Sequence, residues 1–331
     1  MAMDTGIAYF VRNRRPDVAR ADMEEIKAAG CSYVVHFFTE FDQVFFKQSV
    51  AEIVQVTKEA GLQVYIDPWS LGGFICTKYT LFPLDHPEAC QVWSDGRPLM
   101  QACPNHPAFR DYMRRWLDDV VEIGGEVVFW DEPHLAVQKD EVGRVARWAC
   151  RCEKCQALFA QHYGKEMPVE LTREVMAFRQ ETLVRFFDWV TQEAKARGLK
   201  NCICLLSQEH GEDGFGDWSR IAALPAIDIF GTDPYWYNRE IDLEAHVRHF
   251  SNKAVSLAHA YGKTPQIWLQ GFRVPRGLEG QIEQAAAIAC EAGVTNLAVW
   301  VDKYGTGDNN RSDDPEAVWE ITKRLFQRLR A

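Results

Sequence analysis

The sequence predicts an α/β fold, a (β/α)8 TIM barrel with a long loop after the third strand and a Cys-rich insertion after the fourth. Three observations predict it. Eight short apolar runs alternate with amphipathic stretches of helical period from one end of the chain to the other. No linker or break in composition divides the 331 residues, and α/β barrels of this size fold as one unit. No Gly-rich phosphate loop follows an early strand, which sets aside the doubly wound open sheet. Residues 1–331 are therefore read as one barrel domain, with residues 135–167 as an insertion.

The elements follow in order. Gly6 to Phe10 reads as the first strand, and Ala19, Met23 and Ile26 then share one helical face that Gly30 closes. Cys31 to Phe38 is the second strand. Val50, Ile53, Val54 and Thr57 form the next helical stripe, and Leu62 to Ile66 is the third strand, ending at Asp67-Pro68-Trp69. From Ser70 to Pro107 the chain is irregular and rich in Gly, Pro and aromatics, which predicts an ordered functional loop. Phe109, Tyr112, Met113, Trp116 and Val120 mark a helix before the fourth strand, Glu126 to Trp130, which stops at Asp131-Glu132-Pro133-His134. A long helix spans about Thr172 to Arg197. Asn201 to Leu206, Ile227 to Phe230, Gln266 to Leu269 and Asn296 to Val301 are the remaining strands, with helices at Leu243 to Tyr261, around Ile282 to Ala289, and around Val318 to Leu325.

Hydrophobic residues make up 47% and charged residues 25%, the balance of a globular chain, and the net charge of −10 argues against nucleic acid as a partner. No apolar run approaches the ~18–20 residues of a membrane span, and the N-terminus lacks the pattern of a secretory leader, so a cytoplasmic location away from membranes is expected. A homo-oligomer is left open.

Barrel active sites lie at the C-terminal ends of the strands. Those ends offer Tyr9, His36, Asp67, Asp131, Glu132, Glu209, Asp233, Tyr235, Gln270 and Trp300, with Trp236 and Trp268 beside them. Acids, amides and aromatics together suit a sugar: rings stack on its C–H faces, carboxylates and amides bind its hydroxyls, and a carboxylate pair is what glycosidic cleavage needs. Strand alternation sends Asp131 and Glu132 in opposite directions. Asp233 gains weight from Tyr235-Trp236-Tyr237, aromatics that are costly to expose. Asp302 is read as a cap on the loop that follows it.

Asp131-Glu132-Pro133 resembles the Asn-Glu-Pro signature of a large clan of retaining glycoside hydrolases, which implies Glu132 as acid/base. That clan's nucleophile is a Glu ending the seventh strand, where this chain has Gln270. The chain is also similar to α-galactosidase-like barrels, which implies Asp131 as nucleophile and Asp233 as acid. A third likeness spans more of the chain. Ala102-Cys103-Pro104-Asn105-His106-Pro107, Phe129 to Pro133, Cys150-x-Cys152-x2-Cys155 and Gly231 to Trp236 together resemble uncharacterised bacterial glycoside-hydrolase-like barrels with a Cys-rich insertion. The expected function is cleavage of a glycosidic bond by two carboxylates, with Glu132 as general acid, Asp233 as its partner and Asp131 as the orienting group. The alternative is a non-catalytic carbohydrate-binding barrel. A metal-dependent hydrolase is a remoter one, because the first strand has no His-x-His.

Cys150, Cys152 and Cys155 lie within six residues and predict a closed structural zinc site rather than disulfides. His134 is the expected fourth ligand, with Cys103 as the alternative.

Overall fold

The computed structural model describes residues 3–10, 14–76, 79–209, 211–236, 242–305 and 308–330. Eight parallel strands close into a barrel: β1 Asp4–Tyr9, β2 Tyr33–Phe37, β3 Gln63–Asp67, β4 Val127–Asp131, β5 Lys200–Leu205, β6 Ile229–Thr232, β7 Thr264–Gly271 and β8 Asn296–Val301. Each pairs with its neighbours in chain order, and β8 returns to β1 with Asp4 opposite Asn296. The crossovers carry α1 Pro16–Ala28, α2 Lys47–Glu59, α3 Pro107–Glu122, α4 Arg173–Ala196, α5 Ser219–Ala222, α6 Leu243–Ala260, α7 Gln281–Glu291 and α8 Pro315–Arg330. Only α5 is a single turn, which is why no helical stripe announces it. Among the described residues no helix is long and apolar enough to cross a membrane.

Strand parity divides the core in two. One set of side chains, including Ala8, Val35, Phe37, Tyr65, Phe129, Cys204 and Trp268, fills the barrel lumen. The alternate set, including Ile7, Tyr9, Val34, Ile66, Trp130 and Ile203, packs against the helices. Gly6 is required by the lumen floor: a Cβ there would lie 2.1 Å from the Tyr33 ring, which stacks on Tyr65 at 4.3 Å.

The long loop after β3 is held by one carboxylate. Glu40 begins a short helix, Glu40–Phe45, whose N-cap Thr39 and Asp42 form a capping box. The Glu40 carboxylate accepts from Gly72 N–H at 2.8 Å, Thr80 Oγ1 at 2.7 Å, Phe82 N–H at 3.0 Å and Leu81 N–H. Farther on, Cys90–Val92 and Pro98–Ala102 form a hairpin. The insertion after β4 adds a second hairpin, Val137–Lys139 with Val145–Trp148, and a helix, Glu153–Tyr163. The two excursions share a small apolar cluster with α4, built around Cys103, Trp148, Phe159 and Phe178.

Candidate active site

Four carboxyls converge at the C-terminal mouth of the barrel. Asp67 ends β3 and Asp131 ends β4, and both follow lumen-facing residues at even spacing, Tyr65 and Phe129. Asp233 stands immediately after β6. Alternation alone would turn Glu132 away from Asp131. Instead Glu132 adopts φ +37°, a left-handed conformation that a side chain rarely takes, and its carboxyl comes close enough to Asp233 to raise that group. This corrects the expectation that the adjacent acids diverge. The kinked backbone is tied down: Glu132 N–H donates to the Cys204 carbonyl at 3.0 Å, and His134 Nδ1 lies 2.7 Å from the Glu132 carbonyl. Left-handed backbone at a bulky residue costs of order 1–2 kcal/mol and persists where its surroundings over-determine it.

The electrostatics are unusual. Asp67, Asp131 and Asp233 are buried, and among the described residues no Lys, Arg or His forms an ion pair with them or with Glu132. Burial first, and then mutual repulsion, pushes the carboxyls of Asp67, Asp131 and Asp233 well above the ordinary range. Asp67 Oδ1 and Asp233 Oδ1 are fully buried and make no hydrogen bond. The Cys76 thiol lies 3.9 Å from Glu132 Oε2 and works against the rise that burial imposes on Asp131. Burial and the surrounding acids push this thiol up, so it stays a protonated donor rather than a thiolate.

A wall of rings shares the mouth with the acids. Phe10 stacks on Phe37 at 4.1 Å, and Trp69 meets both edge-on at 5.5 and 5.0 Å. Trp300 continues the wall 5.3 Å from Trp69, followed by Phe272 at 5.5 Å and Tyr235 at 5.0 Å from Phe272. Phe10, Trp69, Tyr235 and Trp300 remain partly exposed. Tyr235 also feels the acids, since Asp233, Glu132 and Asp131 all add to the rise that burial imposes on its hydroxyl.

Several expected residues lie elsewhere. Tyr9 and His36 have the wrong parity for the lumen. The Tyr9 hydroxyl donates to Asp22 on α1 at 2.7 Å, and His36 Nε2 pairs with Thr57 on α2 at 2.9 Å, where burial lowers the imidazole pKa to about 3. Phe10 and Phe37, one residue further on, take the places expected of them. The readable signal was the small pair Gly6 and Ala8, which marks the crowded lumen face and points on to Phe10. Glu209 lies outside the mouth, half-exposed, accepting from His249 and Lys253 on α6 at 3.0 Å each. Trp236 turns outward and donates to Gln281 on α7 at 3.2 Å. Trp268 forms the floor beneath the mouth, 3% exposed, with its indole on Gln266 at 2.9 Å. Gln270 faces the lumen, but its amide is engaged: Oε1 accepts from Trp236 N–H and Nε2 donates to the Phe272 carbonyl, both at 2.9 Å. Asp302 accepts from Ser312 N–H at 2.6 Å, the capping role expected of it. Tyr237 lies outside the described residues.

His134 is not near the thiols. Its ring serves the Glu132 turn, and the fourth member of the cluster is Cys103, which the long loop delivers from the other excursion. The Sγ atoms of Cys103, Cys150, Cys152 and Cys155 all lie within 4.8 Å of one another, with Cys103 3.6 Å from Cys155 and 3.7 Å from Cys152. Zinc–sulfur bonds of about 2.3 Å place the corners of a tetrahedron about 3.8 Å apart, so this cluster is of a size to hold a metal ion. Asn105 Nδ2 donates to Cys155 Sγ at 3.4 Å, an outer contact of the kind that orients ligands. Arg179 lies fully buried behind the cluster. It donates to the backbone carbonyls of Ala149, Leu135, Ala136 and Glu212, and so ties the insertion to α4.

A closed barrel with this mouth has the fold of glycoside hydrolase barrels. No protein-family model and no curated protein sequence matches the chain. Among solved structures, 99% of the chain is similar to 56% of a GH42 β-galactosidase from G. stearothermophilus, with a TM-score of 0.72 at 12% identity. It thus spans little more than half of that enzyme. It is also similar to endo-1,4-β-mannanases. One is from Rhizomucor miehei, with a TM-score of 0.65 at 10% identity over 99% of this chain and 95% of that one. Another is from Thermotoga petrophila, with a TM-score of 0.64 at 8% identity over 100% and 77%. At these identities the likeness is one of fold.

Proposed function

We propose that this protein cleaves a glycosidic bond, with Glu132 as general acid, Asp233 as its partner carboxylate and Asp131 orienting the bound sugar. The observation that carries the reading is the approach of the Glu132 carboxyl to the buried Asp233 carboxyl in a mouth walled by rings. Two carboxyls this close hold one proton between them, because both cannot ionise together at low dielectric. Glu132, the less buried of the two, passes that proton to the glycosidic oxygen as the C–O bond breaks, and the bonding pair leaves with the departing sugar. Asp233 remains as the carboxylate that faces the cationic carbon or the incoming water. β4 and β6 are two positions apart in the barrel, about 9–10 Å between strand axes. Side chains that approach at rest therefore have room to part to the ~5–9.5 Å that glycosidic pairs use. Trp69, Trp300 and Tyr235 offer faces for sugar C–H surfaces. The β-galactosidase and mannanases of similar fold support a carbohydrate substrate.

The test is hydrolysis of a panel of aryl glycosides and oligosaccharides. Glu132→Gln and Asp233→Asn should each lower turnover roughly 10³-fold while leaving the melting transition intact. Near-full turnover in both variants would rule out the assignment. The engaged amide of Gln270, where a seventh-strand carboxylate is wanted, favours a second reading, a barrel that binds sugars without cleaving them. Saturable glycan binding with no product after prolonged incubation would establish that one.

The metal of the four-cysteine cluster is read as zinc in a structural role. Four protein thiolates close the coordination sphere and leave no position for water or substrate. A thiolate site of this kind suits a reducing, cytoplasmic setting, and residues 1–331 act as one barrel domain with 135–167 as its pinned insertion.

A further inference from the structure

The chemistry proposed above uses Glu132 and Asp233 and leaves two carboxyls over. Asp67 and Asp131 sit on adjacent strands, β3 and β4, and repel one another. Asp67 is 1% exposed, and its Oδ1 has no hydrogen-bond partner. No basic side chain among the described residues compensates either acid. Among the described residues, the group that eases the charge on Asp131 is the Cys76 thiol, a weak donor. Burying unpaired carboxylates is costly, so the described residues leave these acids in want of a positive partner or further protons. The surroundings suit a cation. The aromatic wall begins at Trp69, two residues after Asp67, and continues through Phe37 and Trp300. Ring faces attract cations, and more strongly where water is excluded.

We propose that the sugar bound in this mouth carries a free ammonium group, as a de-N-acetylated hexosamine does, and that Asp67 and Asp131 hold that ammonium. The inference rests on the carbohydrate reading above and deepens it. An ammonium brings three donors and one positive charge. It supplies the missing partner of Asp67 Oδ1 and relieves the repulsion between the two acids. A neutral sugar hydroxyl brings one donor and no charge, and an N-acetyl group removes the charge and adds bulk.

The experiment is calorimetric titration of the protein near neutral pH with glucosamine, glucose, N-acetylglucosamine and methylammonium. The expected result is glucosamine binding at least ~10-fold tighter than the two neutral sugars, a difference of about 1.4 kcal/mol. Asp67→Asn should reduce that preference to within ~2-fold, a direct loss of the charge pairing. The comparison among sugars uses the unaltered protein, so it stands even if the variant does not fold. If the neutral sugars bind as well as glucosamine, the ammonium site is wrong and the carbohydrate reading survives. Asp67-dependent binding of methylammonium with no sugar bound would keep the cation site and overturn the carbohydrate reading. Failure of both glucosamine and methylammonium to bind overturns the proposal.

Discussion

Asp67 shows what the mouth costs the fold. Its carboxyl is buried without a hydrogen bond at Oδ1, and burial and the neighbouring acids hold its folded pKa well above the unfolded value of about 3.9. The folded state therefore binds this proton more tightly than the unfolded chain. The associated stability is fully present below the unfolded pKa and is lost as pH rises through the folded one. Asp67→Asn removes a group that loses no hydrogen bond at Oδ1. Relative to the parent, its melting temperature should rise by roughly 3–6 °C near neutral pH, the equivalent of about 2 kcal/mol in a chain of this size, and the gain should vanish towards acid pH. Differential scanning calorimetry across pH checks both the sign and the window. The same logic bears on activity. Burial first, and then the nearby acids, push the Asp233 carboxyl above the ordinary range, so in the proposed reaction kcat/KM should fall as pH rises, with its alkaline limb above that range.

At the scale of elements, the long loop after β3 and the insertion after β4 depend on each other. Cys103 comes from the first and Cys150, Cys152 and Cys155 from the second, so a metal bound there cross-links segments that share only a small apolar cluster. Elemental analysis of freshly purified protein should find about one zinc per chain, and Cys155→Ser should lose it. Strong chelation should raise amide exchange in both excursions together while β1–β8 stay protected. Arg179 is the other tie. Arg179→Met takes a charged donor from four carbonyls at once and should cost about 3 kcal/mol or more in urea unfolding, since hydrogen bonds from a charged donor contribute about 1.5–3 kcal/mol each.

For the whole molecule, the acids of the mouth come from β3, β4 and β6, and the rings come from β1, β2, β7 and β8 together with Trp69 and Tyr235, which follow β3 and β6. In the proposed reaction Trp300 serves binding rather than proton transfer. Trp300→Ala should raise KM about tenfold and lower kcat much less, as steady-state kinetics on the best substrate would show.

Fold class was legible because a period of 3.6 alternating with short apolar runs is written locally, and each run needs only its neighbours in sequence to be recognised. The candidate acids were legible for a related reason: Asp131, Glu132 and Asp233 end apolar runs at breakers, where burial alone does not explain a charge. What the chain does between elements was decided in three dimensions. Tyr9 and Phe10 are adjacent and similar, and only strand parity inside a closed barrel sends one to the helices and the other to the mouth. Glu132 faces its partner because one residue takes a left-handed turn, which no side-chain pattern announces. Cys103 joins three cysteines some fifty residues away because two excursions pack together, while His134, nearer in sequence, is held by a backbone carbonyl. Local periodicity sets which elements form. Long-range packing sets which side chains meet, because contacts across a barrel join residues that no sequence spacing relates.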